Sequence, residues 1–204
     1  MTQQLELFEP HQTESLSRDL LGISGLAYFR ELLSPAAQKR ILDAIDAKPW
    51  QHDLKRRVQH YGYKYDYKAR RVDPSMYVGP LPPFAVEVAE RLLELGLVAE
   101  QPDQLIVNEY QPGQGITAHI DCEPCFKDTI VTISLGSVYE MDLIHAETQE
   151  VRSLTLELGS ALILAGDARY KWKHRIVARK TDHGKPRGRR VSLTYRNVIL
   201  VGSA

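Results

Sequence analysis

At 204 residues, 43% hydrophobic and 25% charged, with a formal net charge of zero, the chain is long enough for one well-cored domain, and bulk electrostatic coating of nucleic acid is excluded. No run of eighteen apolar residues occurs, and the start MTQQLELFEP lacks the basic and apolar parts of a secretory signal, so no membrane association and a cytoplasmic location are expected. Cys122 and Cys125 are too few for a structural zinc site or a disulfide framework, and free thiols in a reducing compartment are expected.

Residues 1–13 read as a tail, loosely ordered at best, ahead of a domain over 14–204. Within the tail, Gln4-Leu5-Glu6-Leu7-Phe8 resembles the QLxLF peptide by which bacterial repair and replication proteins dock on the DNA sliding clamp; a terminal strand packed on the body would use the same residues. Ser34-Pro35 supplies an N-cap and a proline at the first helical position, and Ala37, Ile41 and Ile45 then fall on one face, which predicts an amphipathic helix. Trp50 to Tyr67 alternates and is rich in tyrosine, suggesting a hairpin or flap over about 50–83. There, period two would put Tyr61, Tyr63, Tyr65 and Tyr67 on one face. Phe84, Val88, Leu92 and Leu95 recur at helical spacing until Gly96.

After Pro102 the pattern changes to strands: 105–110, 129–136, 138–144, 151–158, 161–165, 172–177 and 191–201. Short strands broken by Gly-Ser, Gly-Asp and Pro-Gly turns predict an antiparallel sandwich or jelly roll over about 103–204. With helices first and strands afterwards, the fold class is α+β, the helices supporting one face of the barrel. Lys180 to Arg189 reads as a polar loop free to move.

His119 and Asp121, two apart on a strand, project from one face, so an imidazole nitrogen and a carboxylate oxygen can converge. A solvated strand can carry the same pair for solubility alone. Asn108 and Tyr110 share a face of the preceding strand, and Arg190 and Arg196 share a face of the last one. Two arginines inside a barrel call for an anion with more than one carboxylate. His174, on a later strand, completes two histidines and a carboxylate, the ligand set of non-haem iron with open positions.

In order and spacing, Asn108-Glu109-Tyr110, His119-Ile120-Asp121, His174 and Arg190 through Arg196 resemble the AlkB family of iron(II)- and 2-oxoglutarate-dependent dioxygenases. Tyr110-Gln111-Pro112-Gly113 before the metal strand and Ile133-Ser134-Leu135-Gly136 after it extend the likeness. The resemblance implies a double-stranded β-helix core, Fe(II), 2-oxoglutarate as co-substrate and O2. It makes His119, Asp121 and His174 the catalytic metal ligands. Asn108, Tyr110 and Arg196 would orient the co-substrate, Arg190 would pair with its far carboxylate, and Ser192 stands where some relatives carry an Asn.

For the substrate, the resemblance places a nucleotide-recognition lid in the flap and an acidic base-reading residue at Glu123, which would favour cationic methylated bases. Tyr61, Tyr63, Arg57 and Arg71 are the flap residues expected to touch the nucleotide, although the tyrosines could equally form the buried side of a strand, and Glu123 could face solvent. The expectation is oxidative dealkylation of 1-methyladenine, 3-methylcytosine or etheno adducts in single-stranded or base-flipped DNA, with RNA as a further substrate, by a monomer. A wobble-uridine hydroxylase acting on transfer RNA, a protein demethylase and a non-catalytic binding module are the alternatives. Glu123 counts against the uridine reading.

Overall fold

The computed structural model describes residues 16–52, 56–66 and 69–200, so the Gln4–Phe8 peptide lies outside the described residues. Strands β1 (Leu16–Ser17) and β2 (Leu26–Phe29) precede helix α1 (Pro35–Asp46). Ser34 caps α1, its Oγ accepting from the Ala37 N–H at 3.3 Å, and Ala37, Ile41 and Ile45 are buried as the periodicity predicts. Strands β3 (Val58–Tyr63) and β4 (Tyr77–Gly79) form the flap region ahead of helix α2 (Pro83–Glu94). Gly96, at φ +63°, ends α2 as the left-handed residue; its N–H bonds Leu93 O at 3.0 Å and the next N–H, of Leu97, bonds Leu92 O at 3.0 Å.

The barrel strands follow: β5 (Gln104–Tyr110), β6 (Ile116–His119), β7 (Ile130–Leu135), β8 (Tyr139–His145), β9 (Val151–Leu156) and β10 (Ala161–Leu164). A one-turn helix α3 (Gly166–Tyr170) leads into β11 (Trp172–Ile176), the hairpin β12 (Thr181–Asp182) and β13 (Lys185–Pro186), and finally β14 (Arg190–Arg196). The major sheet runs β1-β2-β10-β7-β14-β5-β3-β4 and the minor sheet β6-β11-β8-β9, all neighbours antiparallel. This is the expected jelly roll.

Alternation along each strand divides the interior in two. Val191, Leu193 and Tyr195 of β14, with Leu105 and Val107 of β5, join one core under α1 and α2. The second core, with Tyr139, Met141, Leu143, Leu162, Trp172 and Ile176, fills the space between the sheets. Arg190, Ser192, Thr194 and Arg196 therefore point into the barrel, where apolar packing leaves a cavity. Glu109 shares the helix-side face of β5 and is buried there against two guanidiniums, Arg57 (Nε to Oε2, 2.5 Å) and Arg189 (Nε to Oε1, 2.6 Å); Arg189 also reaches Asp46 of α1 at 2.6 Å.

Three expectations are corrected. The tyrosine flap does not keep period two: Gly62, at φ +74°, sits in a register shift between β3 and β4, so Tyr61 packs edge-on to Phe84 on the helix side while Tyr63 and Tyr65 turn to the barrel-side core. The segment 180–189 is not a free loop, because Asp182 is gripped by Arg179 and Arg187, and Arg179 and His183 both reach Glu140. Cys122 and Cys125 are not free thiols but form a disulfide; a single turn brings their Cα atoms to 5.3 Å, within bridging range.

Candidate metal centre and co-substrate pocket

A cavity of about 320 Å³ opens between the two sheets, lined by β5, β6, β11 and β14. Antiparallel pairing places His119 of β6 directly opposite His174 of β11, with ring centroids 4.2 Å apart. Asp121 lies two residues beyond His119, past the end of β6 rather than on it, and is buried. One ligand atom each from His119, Asp121 and His174 can be chosen so that all three lie within 4.8 Å of one another.

The protonation of this group suits a cation. Nδ1 of His119 lies 2.8 Å from the Thr117 carbonyl oxygen, which can only accept, so Nδ1 carries a proton and Nε2 is the nitrogen left to face a metal. Burial foremost, reinforced by the neighbouring His119, lowers His174 to about 3 and keeps it a neutral ligand. Burial would raise the Asp121 carboxyl, but Arg196, the two histidines and Arg169 outweigh it and hold the group at about 2. Arg196 Nη2 donates to Asp121 Oδ1 at 2.8 Å. Two imidazoles and a carboxylate on one side of a point fit a divalent ion with open positions.

Next to the triad the cavity is cationic. Arg190 is fully buried; its Nη2 donates to Ser134 Oγ at 2.9 Å, its guanidinium lies 5.4 Å from the Tyr110 ring centroid, and its Nε has no hydrogen-bond partner among the described residues. The Arg196 Nε is likewise without one. Ser192 stands opposite Asn108 on one side and Ser134 on the other. A buried guanidinium short of partners calls for an anion, and two of them lining the cavity that holds the metal triad fit a dicarboxylate keto acid.

The remaining expected residues divide. Asn108, Tyr110, Arg190, Ser192 and Arg196 all line the cavity. Tyr61 faces the helices, Arg57 is committed to Glu109, Arg71 is exposed and reaches toward Asp73 at 3.7 Å, and Glu123 is exposed; none of the four lines the cavity. Tyr63 packs on Tyr77 with centroids 5.2 Å apart, also outside it. Sequence reasoning missed Arg56, Tyr65 and Arg70, which do line the cavity; Arg56 Nε donates to Asn108 Oδ1 at 2.8 Å. It also missed Thr194, which extending the alternation from Ser192 would have found, and Thr132, which pairs with it on β7. The carbonyl oxygen of Arg70 lies 3.3 and 3.2 Å from the sulfurs of Cys122 and Cys125, which sets the flap against the metal loop.

A jelly roll with a two-histidine, one-carboxylate triad beside paired buried arginines defines the class of non-haem, keto-acid-dependent oxygenases. Residues 25–196 match the model of the 2OG-Fe(II) oxygenase superfamily. A mouse protein named tRNA (carboxymethyluridine(34)-5-O)-methyltransferase ALKBH8 is 38% identical over 87% of this chain and 28% of its own length. The Alkylated DNA repair protein ALKBH8 homolog of Arabidopsis thaliana is 35% identical over 90% of the chain and 61% of its length. Thus the chain spans about a quarter of the length of the three vertebrate relatives that are 38% identical to it. Among solved structures, OsALKBH1 shares the fold at a TM-score of 0.64 and 19% identity, covering 85% of this chain and 96% of that one. A Pseudomonas putida prolyl-4-hydroxylase does so at 0.55 and 14%, covering 90% and 96%. The chain belongs to the AlkB family within the 2OG-Fe(II) oxygenase superfamily. Among the described residues no helix is long and apolar enough to cross a membrane.

Proposed function

We propose that this chain oxidises an alkyl carbon carried by a nucleobase, and that the base it fits best is uncharged or anionic, as in a modified uridine of transfer RNA. The observation that carries this reading is the charge of the cavity. Its lining includes Arg56, Arg70, Arg190 and Arg196, and among the described residues the only carboxylate there is the metal ligand Asp121. With Arg190 and Arg196 serving the co-substrate and Arg56 bonded to Asn108, Arg70 remains for the substrate side, where a cationic base would meet like charge and a carboxylate-bearing or neutral one would not.

His119, Asp121 and His174 would hold Fe(II), and Arg190, with Arg196, Asn108, Tyr110 and Ser192, would hold 2-oxoglutarate. Bound there, the iron supplies oxidation of a C–H bond by O2, coupled to conversion of the keto acid to succinate and CO2. Arg190 would pair with the far carboxylate of the co-substrate, and Arg196, already bonded to Asp121, would orient the co-substrate beside the metal ligands. Tyr65, which packs 5.4 Å from Phe126 at the cavity wall, offers a face on which an extruded base can stack. Where the oxidised carbon is bonded to a ring nitrogen, the hydroxylated product collapses to an aldehyde and the free base; where it is bonded to carbon, the alcohol remains.

Removal of methyl groups from cationic 1-methyladenine or 3-methylcytosine in DNA is the second reading, favoured by relatives named for DNA repair and DNA demethylation. Its support within this chain was Glu123, which is solvent-exposed beyond the cavity lining. The names of the relatives that are 38% identical mention carboxymethyluridine of transfer RNA instead. Mass spectrometry of oligonucleotides incubated with the protein, Fe(II), ascorbate, O2 and 2-oxoglutarate separates the two. The proposal expects gain of one oxygen on a carboxymethyl-type uridine in RNA at a higher rate than loss of a CH2 unit from the methylated DNA bases; faster loss from the cationic bases would establish repair instead.

A further inference from the structure

Asp121 sits beyond the last residue of β6, so no strand pairing holds it, yet its carboxylate must meet two histidines that a ladder does hold. What fixes its main chain is Arg169. This side chain is 2% exposed and among the largest fully buried in the molecule. Its Nη1 donates to the Asp121 carbonyl oxygen at 2.9 Å and its Nη2 to that of Cys122 at 3.4 Å, and the guanidinium lies 5.0 Å from the Tyr170 ring centroid. No main-chain N–H among the described residues bonds the Asp121 carbonyl.

A buried guanidinium with no ion pair among the described residues is costly, and a role confined to packing would be met more cheaply by an apolar side chain. The position of Arg169 supplies the reason. It lies on α3, whose next element, β11, carries His174. One planar fork therefore ties the segment bearing the third ligand to the loop bearing the second, while Arg196 holds the same aspartate by its carboxylate. We propose that Arg169 is a positioning residue of the metal centre, fixing the main chain of Asp121 so that its carboxylate converges with His119 and His174. The inference rests on the reading of these three residues as metal ligands.

Mn(II) titration of the full chain, followed by the loss of free-ion electron paramagnetic resonance signal without co-substrate, tests it. Arg169→Gln should weaken Mn(II) binding by roughly 10-fold or more, the range seen when groups that orient metal ligands are removed. The control is Arg187→Gln, which removes another fully buried arginine, one that pairs with Asp182 outside the triad. It should lower the melting temperature and leave Mn(II) affinity unchanged. Arg169→Lys restores the charge and one donor and should bind Mn(II) with intermediate affinity. Wild-type affinity in Arg169→Gln, or equal weakening in Arg187→Gln, would overturn the proposal; should Arg169→Gln fail to fold, Arg169→Lys against Arg187→Gln decides by the same criterion. A wild-type chain that binds Mn(II) no better than Asp121→Ala would instead overturn the metal reading.

Discussion

Arg196 and Asp121 are joined by a 2.8 Å bond between Nη2 and Oδ1, both side chains about nine-tenths buried. An arginine of the co-substrate pocket is thus also the charge partner of a metal ligand. Replacing it with alanine should damage both functions at once. Metal affinity and the KM for 2-oxoglutarate should both worsen, and the melting temperature should fall, since breaking one side of a buried pair costs about 3–5 kcal/mol. Parallel metal titration and succinate kinetics check this; a change in KM alone would mean that Arg196 does not brace Asp121.

Arg190 makes the contrasting prediction. Its side-chain partners are Ser134 and two tyrosine rings, none of them a metal ligand. Arg190→Met should therefore leave metal affinity near wild type while raising the KM for 2-oxoglutarate. A charged hydrogen bond is worth about 1.5–3 kcal/mol, or roughly 10- to 150-fold. Equal loss of metal binding would show the two arginines to be interchangeable braces.

The Glu109 site predicts acid sensitivity. Burial would raise this carboxyl, but Arg57 and Arg189 prevail and lower it from 4.5 to about 2. A group depressed in the folded state stabilises fully above its unfolded value, and that contribution is lost as the pH falls through the folded one. Wild-type melting temperature should drop through the window from pH 4.5 to 2 more steeply than that of Glu109→Gln. The variant itself should be about 1.5–3 kcal/mol less stable at neutral pH, where Arg57 loses its carboxylate while Arg189 keeps Asp46. Identical pH profiles would contradict the assignment.

Gly62 is predicted to tolerate no side chain. Its φ is +74°, and a Cβ would lie 1.9 Å from the Asp103 carbonyl oxygen. Gly62→Ala should cost roughly 3 kcal/mol or more by chemical denaturation, combining left-handed strain with backbone displacement. A neutral result would remove the bulge as the element that turns Tyr61 away from the cavity.

These residues also mark how far the sequence could be read. Asn108, Tyr110, Arg190 and Arg196 were legible because each sits on a regular strand, where period two fixes the face. The same rule failed between Tyr61 and Tyr63, since a single left-handed glycine shifts the register and sends the two rings to different cores. Arg57 looked available for a nucleotide because its partner Glu109 is 52 residues away in the chain. Arg169 carried no periodic signal at all: its role depends on a loop 48 residues earlier, which only the closed barrel brings beside it.

Whether one cavity holds both iron and a dicarboxylate co-substrate is read out by anaerobic titration of the apo chain with Fe(II) and 2-oxoglutarate. Chelation of ferrous iron by a 2-oxo acid produces a visible absorbance band that neither component gives alone. A shared site gives this band at one equivalent in the wild type, no band in Asp121→Ala and His174→Ala, and a rightward shift in 2-oxoglutarate dependence for Arg190→Met. A wild-type chain without the band, or a band that survives loss of Asp121, would contradict a shared site.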